Sequence, residues 1–241
     1  MTTQNTAGDA AQIKVLTSNS MRAVMGELVP QFERASGNKV AISYDPAKLM
    51  LTRIRSGETA DVVIIGSSAI DELTKEGRIA PDTCVVLARC SIGMAVRAGA
   101  AKPDIGSVEA FQRTLLKAKS IAHTINGASG MHFTGLIERL GIAEDVKSKA
   151  RRRAGGLIGE LVASGEAEIA IQQIPELLAV PGIDLVGPIP AELQKITVVA
   201  AGIFRDAGEP QAARALLEFL STPAAARVIK AKGLEPAGEK K

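Results

Sequence analysis

Three short segments have the residue types and spacing to hold an anion: Ser18-Asn19-Ser20, Gly127-Ala128-Ser129-Gly130 and Gly155-Gly156. Each follows an apolar, strand-like run, or a short link from one, and leads toward a stretch with helical periodicity. A helix start leaves its first backbone N–H groups without intrahelical partners and carries the positive end of the helix dipole. Hydroxyls and bare glycine backbone at several such starts would surround an anion with donors, so the chemistry these residues can do is anion capture. Ser and Asn are also favoured as plain helix caps, the competing structural use of Ser18, Asn19 and Ser20. The sequence has no cluster of metal ligands, no Ser-His-Asp arrangement, no nucleotide loop and no dinucleotide fingerprint. Hydrolase and kinase readings therefore have no support, and no metal or cofactor is expected.

The elements that must position these segments alternate between strand and helix. Residues 13–16 read as a first strand, and 21–35 as an amphipathic helix with Val24, Leu28, Val29 and Phe32 on one side, closed by Ser36-Gly37-Asn38. A strand at 40–44, a helix at 48–56, a fully apolar strand at 60–65 and a helix at 69–76, ended by Gly77, follow. Crossovers this short imply parallel, right-handed βαβ units. After Pro81, apolar runs at 84–88 and 91–96 precede a linker at 97–103. A helix at 108–118, a strand at 120–124, helices at 131–140 and 157–164 and a strand at 168–172 complete a second block. A polar link leads to an apolar run at 196–204, and helices at 210–220 and 223–232 return to the first block. The expected fold is α/β with two lobes, each a mainly parallel sheet flanked by helices. Lobe one takes 1–88 and 200–241, lobe two takes 89–199, and the hinge strands lie near 88–92 and 196–200.

Composition agrees with that architecture. The 241 residues suffice for two small cores. The 46% hydrophobic fraction is almost wholly Ala, Val, Ile and Leu, with no Trp, one Tyr and five Phe, which suits sheets covered by helices. So few aromatic residues leave little to stack on bases, and the +3 net charge is spread in both signs, so nucleic acid is not an expected partner. Cys84 and Cys90 flank one strand-like run, where six residues of extended chain would hold them roughly 20 Å apart. No disulfide spans that distance, and free, buried thiols are expected. Residues 1–12 are polar and lack the charged start and apolar core of a secretory signal. The expectation is a cytoplasmic protein, or a periplasmic one whose leader has been removed. No apolar run reaches the roughly twenty residues of a membrane span, and a monomer is expected.

The order of elements resembles the periplasmic molybdate-binding proteins of ABC importers over about residues 13–234. The residues that carry the resemblance are Ser18-Asn19-Ser20-Met21 after strand one, Ala60-Asp61-Val62-Val63-Ile64, Gly77-Arg78-Ile79, the run Leu161-Val162-Ala163-Ser164-Gly165-Glu166-Ala167-Glu168-Ile169, and the ending 213–233. The resemblance implies a type II periplasmic-binding fold, with the ligand in a cleft between lobes that close around it, and an ABC permease as partner. Carried onto this chain, with the loops above, the expected ligand set is Ser18, Asn19, Ser20, Lys48, Ser67, Ser129, Gly130, Gly156, Gln172 and Gln173.

Two departures redirect the ligand. Where the family carries a Ser-Ser-Gly segment after strand two, this chain has Asp45-Pro46-Ala47-Lys48, and where the family places a Tyr it has Ile171-Gln172-Gln173-Ile174-Pro175. A tetrahedral oxyanion suits neutral hydroxyls and amides, whereas a planar carboxylate favours charge-assisted donors. Lys48, with His132, therefore points to an organic polycarboxylate rather than molybdate. Lys48 also reads as a solvated helix residue and His132 as a helix-start cap, while His123 shares a strand face with Ile121 and Ile125 and reads as structural. The run 147–153 reads as a solvated helix face whose Arg151, Arg152 and Arg153 could raise the potential at the cleft mouth.

The function expected first is a small-anion-binding receptor of the importer type. The alternative is a cofactor-independent enzyme of the aconitate isomerase type, whose sequences are similar to the same family. That reaction moves a double bond between cis- and trans-aconitate by allylic proton transfer, with His132 or Lys48 as the expected proton shuttle.

Overall fold

The computed structural model describes residues 10–238. The chain opens with β1 (Gln12–Thr17), a 3-10 turn (Asn19–Met21), α1 (Arg22–Ser36), β2 (Lys39–Tyr44), α2 (Ala47–Arg55), β3 (Val62–Gly66), α3 (Ser67–Lys75) and β4 (Val85–Cys90). It continues through β5 (Ile92–Arg97), α4 (Val108–Lys117), β6 (Ile121–Thr124), α5 (Ala128–Arg139), α6 (Ala143–Ser148), β7 (Ala150–Arg153), α7 (Glu160–Ala163), β8 (Ile169–Gln173), α8 (Ile174–Leu178) and β9 (Ile183–Pro188). It ends with β10 (Thr197–Ile203), α9 (Pro210–Leu220), α10 (Pro223–Ala231) and β11 (Glu235–Pro236).

These strands form two sheets, one per lobe. The six-stranded sheet runs β11-β4-β10-β3-β1-β2 and the five-stranded sheet β7-β6-β8-β5-β9. In the first, β1 pairs parallel with β2 and β3, and β10 lies antiparallel between β3 and β4. The second repeats the scheme: β6 is parallel to β7 and β8, and β5 runs antiparallel to β8 and β9. Helices cover both faces of each sheet, so the central strands are apolar on both sides rather than alternating. Val62, Val63, Ile64 and Ile65 are all buried, with Val62 and Ile64 packing toward α1, α9 and α10 and Val63 and Ile65 toward α2 and α3. In the second lobe Phe111, Phe133 and Ile121 fill one face, and Ala122, Ile158 and Leu177 the other. Parallel strands carry their following helices on C-terminal loops, which brings several helix starts to one edge of each sheet.

The chain passes between sheets twice, through Ser91 and over residues 189–196. Gln194 ties the two passages together. Its Nε2 donates to the Ile92 carbonyl (2.9 Å) and its Oε1 accepts from the Ile92 N–H (2.8 Å). The return passage thus precedes the 196–200 segment expected as a hinge, because 197–203 is already a central strand of the six-stranded sheet.

Several local expectations are corrected. The run 147–153 is not one helix face: α6 ends at Ser148 and Arg151 to Arg153 lie in β7, an edge strand whose side chains are exposed, which is why a strand there tolerates three arginines. The polar link after β8 contains α8 and β9, the second an irregular, half-buried edge strand with a register shift opposite Met94 and Ala95. α5 begins at Ala128, so Ser129 and Gly130 are in its first turn rather than before it. Cys90 is buried as expected, but Cys84 is exposed, since it precedes β4 instead of belonging to it; both are free. Residues 1–9 of the polar N-terminal segment lie outside the described residues.

Candidate functional site

A cavity of about 660 Å³ lies between the lobes, where the helix starts of both sheets meet. Its wall takes Ser18, Asn19 and Ser20 from the turn after β1, Ala47 and Lys48 from the start of α2, Ser67 and Ser68 from the start of α3, and Gly127 and Ala128 from the start of α5. None of these starts has a side-chain cap. Away from the cavity, the starts of α4 and α10 are capped by Ser107 and Thr222, while those of α6 and α9 are uncapped, so it is the convergence of the uncapped starts that marks this space. Uncapped N–H groups and like ends of several dipoles directed at one space favour negative charge there.

The side chains sharpen the picture. Ser18 and Ser20 hydroxyls are 2.8 Å apart. Asn19 Oδ1 accepts from Arg22 Nη2 (3.1 Å), and the Arg22 guanidinium stacks 4.0 Å from the centre of the Tyr44 ring. Gln172 is engaged on the protein: its Oε1 accepts from the Ile158 N–H (2.9 Å) and its Nε2 donates to the Gly156 carbonyl (2.8 Å), which holds the glycine loop against the cavity. Gln173 reaches across the lobes, its Nε2 donating to Thr197 Oγ1 (3.0 Å). Its Oε1 and the Thr124 hydroxyl are buried in the wall without partners. A buried polar atom left unpaired is costly, so these two are poised for a ligand or water.

Charge in the wall is balanced but unequally committed. Asp45 is paired with Arg53, and Glu72 with Arg55 (2.8 Å). Lys48 on the first lobe and Lys195 on the return passage have no carboxylate partner among the described residues. Glu176, from α8, has no ion pair among the described residues either. Burial pushes its carboxyl up to about 8, against the opposing pull of the Gln172 amide and the Arg22 guanidinium. The buried Cys90 thiol nearby is raised well above its ordinary value by burial and by Glu176.

Of the sequence-predicted residues, Ser18, Asn19, Ser20, Lys48, Ser67, Gly156, Gln172 and Gln173 meet in this wall. Ser129 and Gly130, in the first turn of α5 between the wall residues Ala128 and Met131, are not themselves in the wall. Gly130 is a packing requirement, since a Cβ there would sit 1.8 Å from the Thr124 carbonyl oxygen. His132 is not in the wall: it is half-buried further along α5, with Nε2 donating to the Leu193 carbonyl (2.8 Å), so the geometry gives it no access to a cavity ligand. His123 is buried edge-on to Phe133, and burial lowers its pKa. Sequence reasoning missed Thr124, Glu176, Lys195 and Thr197. The first two lie at or just beyond C-terminal strand ends, the rule that could have flagged them.

At the rim, Pro46 of the first lobe meets Gly155 of the second so closely that a Cβ on Gly155 would lie 2.2 Å from Pro46 Cγ. The cavity is therefore roofed by contact between the lobes. Residues 13–235 match the family described as bacterial extracellular solute-binding protein. The chain belongs to that family. Among its relatives, an aconitate isomerase from Pseudomonas sp is 39% identical over 93% of this chain and 87% of that protein. The molybdate-binding protein ModA from Azotobacter vinelandii is 28% identical over 94% and 91%. The solved structure of the Azotobacter vinelandii periplasmic molybdate-binding protein superposes with a TM-score of 0.77 at 19% identity, covering 92% of this chain and 98% of that one. The sulfate-binding protein SubI from Mycobacterium tuberculosis gives 0.75 at 15% identity, covering 95% and 88%. These structures share the two-lobed fold. Among the described residues, no group of three or more His, Cys, Asp or Glu is placed to hold a metal ion, and no helix is long and apolar enough to cross a membrane.

Proposed function

We propose that this protein binds a small polycarboxylate between its lobes and isomerises it by allylic proton transfer, as an aconitate isomerase does. The observation that carries the reading is the pairing of uncapped helix starts with two ammonium groups, Lys48 and Lys195, that line the same cavity without a carboxylate partner among the described residues. Neutral N–H groups and hydroxyls alone would serve a tetrahedral oxyanion, whereas two added cations suit a ligand with more than one carboxylate. The 39% identity to an aconitate isomerase along nearly the whole chain supports the same choice. In this reading the starts of α3 and α5 and the Ser18 and Ser20 hydroxyls hold carboxylates through N–H and O–H donors. Lys48 and Lys195 neutralise the charge that spreads over the dienolate as the C–H bond breaks. The Pro46–Gly155 contact excludes water, and no cofactor takes part. The cavity is complete in one chain, so a monomer suffices.

A second reading, that of a periplasmic receptor handing the same ligand to an ABC permease, is favoured by the family and by lobes joined through two short passages that could hinge. Its ligand site is the same; only the fate of the ligand differs. Thermal unfolding of the purified protein with molybdate, sulfate, phosphate, citrate, cis-aconitate and trans-aconitate tests ligand class, since a ligand of the folded state raises the midpoint. Midpoint shifts with the tricarboxylates and their interconversion in the same tube are expected. Shifts without interconversion would leave the receptor reading, and a shift with molybdate alone would refute both forms of the carboxylate argument.

A further inference from the structure

Glu176 stands apart from every other acid of the cavity. Asp45 and Glu72 face arginines, but the described residues place no cation within ion-pair distance of the Glu176 carboxylate. It is carried by α8, which leaves β8 and packs against the 3-10 turn and α1 of the other lobe, so it sits at the floor of the cleft rather than its rim. The groups around it are the Gln172 amide from β8, the Arg22 guanidinium from α1 and the Cys90 thiol at the end of β4. Lys48, Lys195, Arg55, Asp45 and Glu72 complete the charged groups of the same wall. In its ionised form a carboxylate at the floor of an anion-binding cavity opposes ligand charge, so charge pairing with the ligand does not account for it. Its place there calls for another use.

Resting on the isomerase reading, we propose that Glu176 is the group that carries the proton. Its carboxylate takes a proton from the substrate CH₂ beside one carboxylate. The C–H electrons form the new C=C while those of the old double bond pass into the conjugated carboxylate. The same Glu176 carboxyl then returns the proton to the other end of the allylic system. One proton leaves and one is restored, nothing is oxidised, and the carboxylate is regenerated. Burial makes this carboxylate a stronger base than an exposed one, which suits removal of a proton from carbon. Lys48 is exposed and acts as a charge partner, and His132 is outside the wall, so neither competes for the role.

The test compares the full-length protein with its Glu176→Gln variant, using cis-aconitate as the probe. Ligand-induced thermal stabilisation of Glu176→Gln should match or exceed that of the wild type, while kcat for interconversion falls by about 100-fold or more. In D₂O, the wild type should return part of the substrate's own proton through the one carboxyl, so less than one deuterium per turnover should enter the product; full incorporation at every turnover would overturn a single shielded base. If Glu176→Gln does not fold, the pH profile of the wild type decides. A kcat/KM that climbs with pH to a limb near 8 supports the assignment, and a flat profile from pH 6 to 9 overturns it. Undiminished turnover in Glu176→Gln would overturn this assignment alone. A wild-type protein that binds aconitate but never interconverts it would overturn the isomerase reading as well.

Discussion

Replacing Gly155 by alanine tests whether the lobes meet around the ligand as the structure has them. The added Cβ would lie 2.2 Å from Pro46 Cγ and 3.0 Å from Pro46 Cδ. Carbon atoms in ordinary contact sit about 3.5–4.0 Å apart, so the two loops must part by roughly 1.5 Å. Gly155 has no positive φ, so alanine brings no backbone strain of its own, and the clash exists only when the lobes are together. Overpacking of this size costs about 1–3 kcal/mol, which corresponds to ligand affinity weakened by about 5- to 150-fold. The ligand-free protein should keep its Tm, because opening relieves the contact. Calorimetric titration with cis-aconitate measures the first effect and a thermal scan the second. Gly135→Ala is the control, for a Cβ there meets nothing within 4 Å. Unchanged affinity in Gly155→Ala would refute the claim that Pro46 and Gly155 close over bound ligand. An equal loss of stability without ligand would refute the claim that the contact belongs to closure alone.

Lys48→Met and Lys195→Met should each weaken tricarboxylate binding by about tenfold or more, as expected for a charged hydrogen bond worth roughly 1.5–3 kcal/mol, and should flatten its salt dependence in titrations at rising ionic strength. Gln194→Ala leaves the buried Ile92 N–H unpaired, although the Ile92 carbonyl still accepts from the Ile189 N–H; the cost is about 1–3 kcal/mol, seen as a Tm lowered by roughly 2–4 °C per kcal/mol. Glu176 is also a stability probe. Its folded pKa, about 8, lies above the unfolded value of 4.5, so the folded state binds the extra proton and stability declines as pH rises from about 4.5 to about 8, levelling beyond. Glu176→Gln should remove that part of the slope and raise the ligand-free Tm at pH 8; an unaltered pH–Tm curve would contradict the burial of this group.

The long elements were legible because local periodicity and burial agree in them. The apolar β3 and the amphipathic α1, α9 and α10 could be read within a residue or two, and the loop-to-helix starts at Ser18 and Gly127 pointed at the cavity because free N–H groups are a property of sequence order. Residues that matter through tertiary placement were not legible. Arg151 to Arg153 look like a solvated helix until the exposed edge of a sheet is there to receive them. Glu176 resembles any acid in a short helix, and only its half-buried place in the cavity wall, on a helix packed against the other lobe, distinguishes it. His132 illustrates the reverse error. It opens onto the right helix, but a few residues along α5 turn it to the Leu193 carbonyl and away from the cavity.

The position of β10 has a consequence for synthesis. It is the strand between β3 and β4, yet it is made after the whole second lobe. At ordinary elongation rates the interval between the emergence of β3 and of β10 is on the order of ten seconds. The second lobe, contiguous in sequence, can finish folding during that wait, while β3 and β4 remain as unpaired apolar edges that no nascent chain can yet join. The first lobe is therefore the half whose sheet stays incomplete longest during synthesis, and β10 commits it to its final form only once the chain is nearly complete.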